Sequence, residues 1–294
     1  VGKSYEDIDE AATEKMVAYA MENGVNYYDT AWGYHDGQSE IVMGRILGKY
    51  PRDSYYLATK FPGYDLSNMD KVEEIFEKQL EKCGTEYFDF YLFHNVCEMN
   101  IDAYLNPEYG IFDYLVKQKK NGRIRHLGFS AHGSYAVMKR FLDAYGEHME
   151  FGQIQLNWLD WSFQDAKAKV ELLKKYHLPA WVMEPLRGGK LASLPEETAK
   201  ELAAFRPDED VAAWAFRFLQ SIDGVTMILS GMSDFSHSYI VVKYFPFRFT
   251  VSNPICINIS APVACSKPTA CFVSNTKLIL PSNGAYNFPS EGTI

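Results

Sequence analysis

Short apolar runs alternate with amphipathic segments along most of the chain. Each apolar run is too short for a typical helix and is bounded by polar residues, which predicts a buried strand. In the segments between the runs, apolar residues recur every three or four positions, which predicts helices with one buried face. The predicted strands are 25–29, 55–60, 87–94, 123–130, 151–157, 178–185 and 224–231. The predicted helices are 4–23, 39–49, 69–82, 111–121, 134–145, 164–176, 196–204 and 209–221.

The continuous apolarity of the strands indicates the fold class. Apolar strands that alternate with amphipathic helices predict a parallel sheet covered by helices. An open doubly wound sheet is the alternative, but such a sheet gathers its polar residues at one switch point. Here polar residues recur at the carboxyl end of strand after strand, and no G-x-G-x-x-G follows an early strand. We therefore predict a (β/α)8 TIM barrel. Because only seven strands can be counted, we expect the barrel to be incomplete at its N-terminal end, with its first strand upstream of Val1.

The character of the sequence changes after residue 232. Residues 233–294 hold only six charged side chains, but six of the 13 prolines and three of the five cysteines. We expect two parts, a β/α barrel over 1–232 and an atypical tail over 233–294 that is irregular apart from one or two strands within 239–251. The tail cysteines, Cys256, Cys265 and Cys271, have neither zinc nor iron–sulfur spacing, so no metal site is expected.

The charge of the chain narrows its possible partners. A formal net charge of -9 argues against nucleic acid and anionic membranes. No apolar run approaches the roughly 20 residues of a membrane span. Five cysteines do not make a disulfide scaffold in a chain of 294 residues, so we expect reduced thiols and a cytoplasmic location.

Three successive strands end in residues that suit proton transfer. Asp29 ends the first strand and Tyr34 follows in the next loop, while Lys60 and His94 end the second and third strands. A tyrosine hydroxyl is a weak acid, but a neighbouring ammonium favours its ionised form. Lys60 can supply that charge, Asp29 can balance it, and His94 can hydrogen-bond a substrate oxygen. Together they form a general acid for a carbonyl oxygen, and because none of the four carries hydride, a cofactor is required.

Taken singly, each of these residues also has an ordinary structural explanation. Asp29 could cap a turn, Lys60 could lie on the surface, and His94 could be a packed core histidine. Their joint position at three strand ends favours the catalytic interpretation, because that is where barrels place their chemistry.

Three motifs in this sequence resemble the signatures of the aldo-keto reductase family. They are DTAWGYHDGQSE, LATK and FDFYLFH, and the resemblance covers residues 8–232. The nearest subgroup often carries a C-terminal ferredoxin-like segment, whose cysteine run is missing here. The resemblance implies a (β/α)8 barrel that binds NADPH or NADH without a Rossmann fold and reversibly reduces an aldehyde or ketone. It makes Tyr34 the general acid, Lys60 and His94 the groups that tune it, and Asp29 the residue that holds Lys60.

The resemblance also implies positions that bind the cofactor. Ser130 and Gln155 match residues that bind the nicotinamide carboxamide, and Met183 stands where an aromatic residue often stacks on the ring. The glycine-rich loop near 188 matches the pyrophosphate site, and the turn near 231 matches the site of the adenosine-side phosphate. The full set is Ser130, Gln155, Asn157, Met183, Pro185, Leu186, Gly189, Ser230, Gly231, Met232 and Ser233. The basic residue that follows in the family is missing, which predicts weak NADPH binding and poor discrimination from NADH.

Two other functions remain open. A catalytically inactive, cofactor-binding or regulatory barrel is favoured by the unusual ends of the chain, whereas the four intact acid–base residues favour an enzyme. A barrel lyase or isomerase that uses no hydride is disfavoured by the Ser130 and Gln155 pair. The prediction is an NAD(P)H-dependent oxidoreductase that acts on a small carbonyl substrate, with NADPH as the expected cofactor and NADH as the alternative.

Overall fold

The structure is a computed structural model that describes residues 8–232, 234–235, 256–257 and 270–273. Within these residues the strands form one sheet. The strands are β1 (Tyr27–Asp29), β2 (Tyr56–Phe61), β3 (Phe88–Val96), β4 (Ile124–Ala131), β5 (Gly152–Gln155), β6 (Ala180–Met183), β7 (Val225–Gly231), β8 (Cys256–Ile257) and β9 (Ala270–Val273). The helices are α1 (Glu10–Glu22), α2 (Ser39–Leu47), α3 (Val72–Cys83), α4 (Ile101–Tyr104), α5 (Ile111–Lys120), α6 (Tyr135–Tyr145), α7 (Asp160–Phe163), α8 (Ala166–Lys175), α9 (Glu196–Phe205) and α10 (Val211–Gln220).

The first seven strands have the order of a β/α barrel. β1 to β7 lie side by side in sequence order, and each neighbouring pair is parallel. They alternate with helices and curl into part of a barrel. The prediction of a TIM-barrel architecture, rather than an open doubly wound sheet, is confirmed, with seven parallel strands in the series.

Two short strands flank this series. β8 pairs in parallel with β1, where Tyr27 lies opposite Cys256, and β9 pairs antiparallel with β7, where Leu229 lies opposite Cys271. The sequence analysis predicted no strand at the residues of β8 and β9. Without β8 and β9, the outer edges of β1 and β7 would present unpaired backbone N–H and C=O groups, and the two short strands pair with these edges. The strands predicted within 239–251 lie outside the described residues.

The seven parallel strands are buried on both faces. Their outward side chains, such as Tyr28, Leu57 and Tyr91, pack in a large core that includes the helices. Their inward side chains form a separate cluster of Tyr27, Ala58, Phe90, Leu92, Phe151, Trp181, Met227 and Leu229. Burial on both sides explains why these strands appear in the sequence as continuous apolar runs.

The ends of the elements follow local polar contacts. α1 begins after Asp9, whose Oδ1 accepts a hydrogen bond from the Ala12 N–H at 3.0 Å, and Gly24 follows the helix at φ 86°. β5 ends at Gln155, two residues before the predicted end, and Asn157 Oδ1 accepts from the Asp160 N–H at 2.8 Å where α7 begins. Among the described residues, no helix is long and apolar enough to cross a membrane.

Candidate active site

The inner face of the sheet carries the predicted acid–base residues of β1, β2 and β3. Side chains two residues apart on a strand share a face. The residue two positions before each of Asp29, Lys60 and His94 belongs to the inner cluster, so these three side chains also face inward. All three lie near the carboxyl ends of their strands and are buried.

Two contacts hold the Lys60 side chain. Its Nζ forms an ion pair with Asp29 and donates a hydrogen bond to the backbone oxygen of Thr30 at 2.7 Å. Both charged side chains are buried. Burial raises the pKa of the Asp29 carboxyl, and the Lys60 ammonium opposes that rise. The pair therefore places a fixed positive charge, shielded from solvent, at the mouth of the barrel.

Tyr34 lies in the loop between β1 and α2. His35, Asp36 and Gly37 follow it with left-handed φ values of 53°, 51° and 84°, which turn the chain sharply before α2. The Lys60 Nζ lies 4.9 Å from the centroid of the Tyr34 ring. An ammonium at that distance stabilises the phenolate and so makes the hydroxyl a better proton donor.

His94 also lies beside Tyr34, with the two ring centroids 6.0 Å apart at an interplanar angle of 78°. The Tyr104 hydroxyl donates to the His94 backbone oxygen at 2.8 Å. The Nδ1 of His94 is buried and has no hydrogen-bond partner among the described residues. Burial, together with the Lys60 charge, lowers the pKa of His94 well below its usual range. The imidazole is therefore neutral at physiological pH and is able to hydrogen-bond a neutral substrate.

Tyr64 completes this group, and the sequence analysis missed it. Its ring is perpendicular to the His94 ring, with the centroids 5.2 Å apart. Its hydroxyl packs on Gly33, since a Cβ at that glycine would lie 2.1 Å from the Tyr64 oxygen. Burial, with a further contribution from Tyr34, raises the pKa of Tyr64. The available signal was its position in the loop directly after the strand that carries Lys60.

The next two strands bring further polar residues to the same face. Ser130 of β4 lies opposite Gln153 of β5 in the ladder, and both are buried. Ser130 Oγ accepts from the Asn95 N–H at 2.9 Å. Gln153 Nε2 lies 3.8 Å from Met183 Sδ, but its Oε1 has no partner among the described residues. Because an unpaired buried amide oxygen costs free energy, this oxygen fits a donor that a ligand supplies.

Gln155 and Asn157, which the sequence analysis selected, both bind Asp160. Gln155 Nε2 donates to Asp160 Oδ2 at 2.9 Å, and Asn157 Nδ2 donates to the same oxygen at 2.6 Å. Asp160 also forms an ion pair with Arg187. This network joins the loops that follow β5 and β6. Gln153 was not selected, although it shares the inner face with Gln155 and carries the unpartnered amide oxygen.

The loop after β6 carries the predicted pyrophosphate residues. Met183 ends β6, and Pro185, Leu186 and Gly189 follow it. Gly189 has φ 83°, and the Leu191 N–H donates to the Leu186 oxygen at 3.1 Å. The loop is therefore a compact turn in which a glycine allows close approach to the backbone.

The end of β7 carries the residues predicted for the adenosine side. Ser230 and Gly231 lie opposite Ala270 of β9, and Met232 follows them as a buried residue. Ser233 lies outside the described residues. Within the part of the chain that the structure describes, no group of His, Cys, Asp and Glu could hold a metal ion. The roles of all these residues in binding stay predictions.

Comparisons with known proteins concern the family and the fold of the chain. The model of the Aldo/keto reductase family matches residues 1–253. A relative named NADH-specific methylglyoxal reductase, from Escherichia coli, is 23% identical over 205 residues, which are 63% of this chain and 60% of that protein. An aldo-keto reductase of Mycolicibacterium smegmatis is 30% identical over 120 residues, 40% of each chain. The chain thus spans less than two thirds of the length of these relatives.

Solved structures show the same fold. An aldo-keto reductase from Bacillus halodurans, in its holo form, has a TM-score of 0.67 at 22% identity and covers 85% of both chains. An aldo/keto reductase from Klebsiella pneumoniae, in complex with NADP and acetate, has a TM-score of 0.65 at 18% identity and covers 82% of both chains. The family match confirms the resemblance inferred from the three sequence motifs.

Proposed function

This chain belongs to the aldo-keto reductase family, and from that premise we propose that it reduces an aldehyde or ketone to an alcohol with NADPH or NADH as the reductant. One observation carries the proposal. A buried Lys60–Asp29 pair holds its ammonium 4.9 Å from the ring of Tyr34. Burying such a pair is costly, and groups arranged in this way are typical of sites that move a proton.

Tyr34 is the proton donor in the proposed reaction. As negative charge develops on the carbonyl oxygen, the Tyr34 hydroxyl protonates it, and the Lys60 ammonium stabilises the phenolate that remains. Asp29 fixes the position of Lys60. The neutral His94 ring hydrogen-bonds the carbonyl oxygen and orients it. The bound nicotinamide cofactor supplies the hydride.

The polar residues of β4 and β5 fit the carboxamide of that cofactor. The unpartnered Oε1 of Gln153 is an acceptor for the carboxamide NH₂, and the Ser130 hydroxyl is a donor for its oxygen. Met183, in contact with Gln153, provides a polarisable thioether beside them. The NADP bound in the Klebsiella structure supports NADPH as the cofactor. The NADH specificity named for the Escherichia coli relative supports NADH as the alternative.

A pair of variants tests the assignment of the carboxamide site. Gln153→Leu removes the unpartnered acceptor and should weaken NADPH binding about tenfold, the value of one good hydrogen bond. Gln155→Leu is the matched control, because it removes an amide from the same strand face that is already bonded to Asp160. Fluorescence titration gives the Kd of each variant for NADPH. An equal increase of the Kd in both variants would contradict the assignment of the carboxamide to Gln153 rather than Gln155.

Hydride transfer itself tests the proposed activity. The protein is incubated with NADPH deuterated at the transferable position and with a panel of short aldehydes and ketones. Mass spectrometry of the alcohols should show one deuterium from the cofactor. Cofactor binding without transfer to any carbonyl would support the alternative, a catalytically inactive cofactor-binding barrel. The cytoplasmic location stays a prediction from composition.

A further inference from the structure

The Glu40 carboxylate is buried beside the site, and the proposed reaction does not use it. Glu40 is the second residue of α2, and its side chain is 0% exposed. An ionised carboxylate is expensive to bury unless hydrogen bonds and an opposite charge compensate for the lost water. The groups that compensate it therefore show what this residue holds in place.

Three side chains donate to the two oxygens of Glu40. Oε1 accepts from Thr59 Oγ1 at 2.6 Å and from Gln79 Nε2 at 2.7 Å. Oε2 accepts from Lys82 Nζ at 2.8 Å, in an ion pair that is itself largely buried. Thr59 belongs to β2, and the other two belong to α3. One carboxylate thus joins α2 to the strand and to the helix that follow it.

The first branch of this network reaches Lys60. Gln79 Nε2, besides its bond to Glu40, donates to the Lys60 backbone oxygen at 3.0 Å. Gln79 Oε1 accepts from the Tyr91 hydroxyl at 2.6 Å, which fixes the orientation of the amide. Thr59 precedes Lys60 in β2. The strand end that carries the ammonium is therefore held from its outer side by groups that Glu40 orients.

The second branch reaches the loop that carries Tyr34. Lys82 Nζ, held by Glu40, lies 4.3 Å from the centroid of the Trp32 ring. The hydroxyls of Thr30 and Ser39 are hydrogen-bonded at 2.8 Å, which closes the base of the loop. The loop between them contains two consecutive non-glycine residues with positive φ, a conformation that needs support from its surroundings.

We propose that Glu40 is a positioning residue, which sets the geometry of Lys60 through Thr59 and Gln79 and that of the Tyr34 loop through Lys82 and Trp32. It touches none of the reacting atoms. Its effect on rate rests on the proposed function, whereas its effect on the loop does not. A displacement of about 1 Å between catalytic groups can cost about 10²-fold in rate, so a carboxylate that fixes both partners should matter for turnover.

Glu40→Gln is the test variant, and Asp89→Asn is its matched control. Asp89 is also a buried carboxylate. It accepts from Arg52 at 2.6 Å and from Arg125 at 2.8 Å, so it too is paired with cations. It lies at the beginning of β3, at the opposite end of the sheet from the Tyr34 loop. Both substitutions should lower the melting temperature, because each leaves a cation without its buried partner.

Two measurements distinguish positioning from general stability. In Glu40→Gln, hydrogen–deuterium exchange of the amides over 31–39 should become about tenfold faster, whereas in Asp89→Asn it should not change. With an aldehyde and NADPH, Glu40→Gln should lower kcat by about 10- to 100-fold while the Kd for NADPH stays within about twofold. Asp89→Asn should leave kcat close to that of the wild type.

Thr59→Val provides a milder perturbation of the same network. It removes one donor to Glu40 and keeps the shape of the strand side chain, so it should shift the same two measurements in the same direction by a smaller factor. If Glu40→Gln does not fold, the same two measurements on Thr59→Val test the proposal. Unchanged loop exchange in these variants, or equally fast exchange in Asp89→Asn, would overturn the proposal. If the wild type reduces no carbonyl compound, the proposed function fails, but the exchange data still decide the role of Glu40.

Discussion

Replacing Lys60 by methionine removes the positive charge beside Tyr34 and keeps a side chain of similar length. In the native protein the buried ammonium lies 4.9 Å from the Tyr34 ring centroid. Two unit charges about 5 Å apart interact by about 3 kcal/mol at an effective dielectric constant of about 20. The phenolate of Tyr34 should lose stabilisation of that order. Since about 1.4 kcal/mol corresponds to a factor of ten, the alkaline limb of the pH–rate profile should move upward by about two pH units.

The same substitution leaves Asp29 without its counter-ion. Burial already raises the pKa of this carboxyl, so we expect Asp29 to take up a proton in the variant. Losing that negative charge offsets part of the loss of Lys60, which reduces the expected movement to about one to two pH units. The double variant Lys60→Met, Asp29→Asn is the control. If Asp29 is neutral in the single variant, the two proteins should share one alkaline limb.

The assay is the pH dependence of kcat/KM for reduction of one aldehyde, compared among the wild type and the two variants. Ultraviolet titration of the ionised phenol, with Tyr34→Phe to identify the signal, follows the same group without turnover. Below the alkaline limb, the variants should also react more slowly, because a weaker acid gives up its proton less readily. An alkaline limb that stays in place would refute the electrostatic coupling of Lys60 to Tyr34.

Three further predictions concern His94, the contact of Gly33 with Tyr64, and the binding of the cofactor. The pKa of His94 is lowered in the folded protein, so as the pH falls the unfolded chain takes up a proton at this residue before the folded chain does. The contribution of His94 to stability is therefore present above pH 6.5 and is lost as the pH falls below that value. NMR titration should show a neutral His94 well below pH 6.5, and His94→Gln should reduce the acid dependence of the melting temperature. Gly33→Ala should displace Tyr64 and lower kcat/KM several-fold. Adding Tyr64→Phe to this variant should restore part of the lost kcat/KM, because the clashing hydroxyl is gone. A double variant as slow as Gly33→Ala alone would argue against this contact. The sequence predicts the loss of two charge-assisted contacts to the adenosine-side phosphate, so fluorescence titration should show NADPH binding weakened by about two to four powers of ten and little preference over NADH. Tight, NADPH-selective binding would instead indicate that Lys243 or Arg248, which lie outside the described residues, supply the missing charge.

The sequence predicted the strands and three of the inward-facing residues for a physical reason. A strand covered on both faces must be apolar throughout, so a polar residue at its end is conspicuous. Asp29, Lys60 and His94 stand out in this way, and the structure places them together. Their neighbour Tyr34 was found through the motif that follows the first strand.

The remaining features depend on contacts between distant parts of the chain. Gln153 and Gln155 share one face of β5, so their positions in the sequence do not show which of them is available to a ligand. The structure distinguishes them, because the Gln155 amide is already hydrogen-bonded to Asp160. The Tyr64 ring packs against His94, and Gly33 leaves room for the Tyr64 hydroxyl. The hydrophobic pattern of the sequence does not predict either contact. The strands β8 and β9 are too short to leave a pattern, and their pairing reflects the open edges beside them.

The most direct test of the proposed function is the single-turnover rate of carbonyl reduction by Tyr34→Phe. The variant removes only the hydroxyl, so the packing of the ring near Lys60 and His94 is kept. Tyr109→Phe, which changes an exposed tyrosine in the turn before α5, is the control. We predict that Tyr34→Phe slows the chemical step by about 10² to 10⁴-fold while the Kd for NADPH stays within about twofold. A chemical step as fast as that of the wild type would contradict the assignment of Tyr34 as the proton donor.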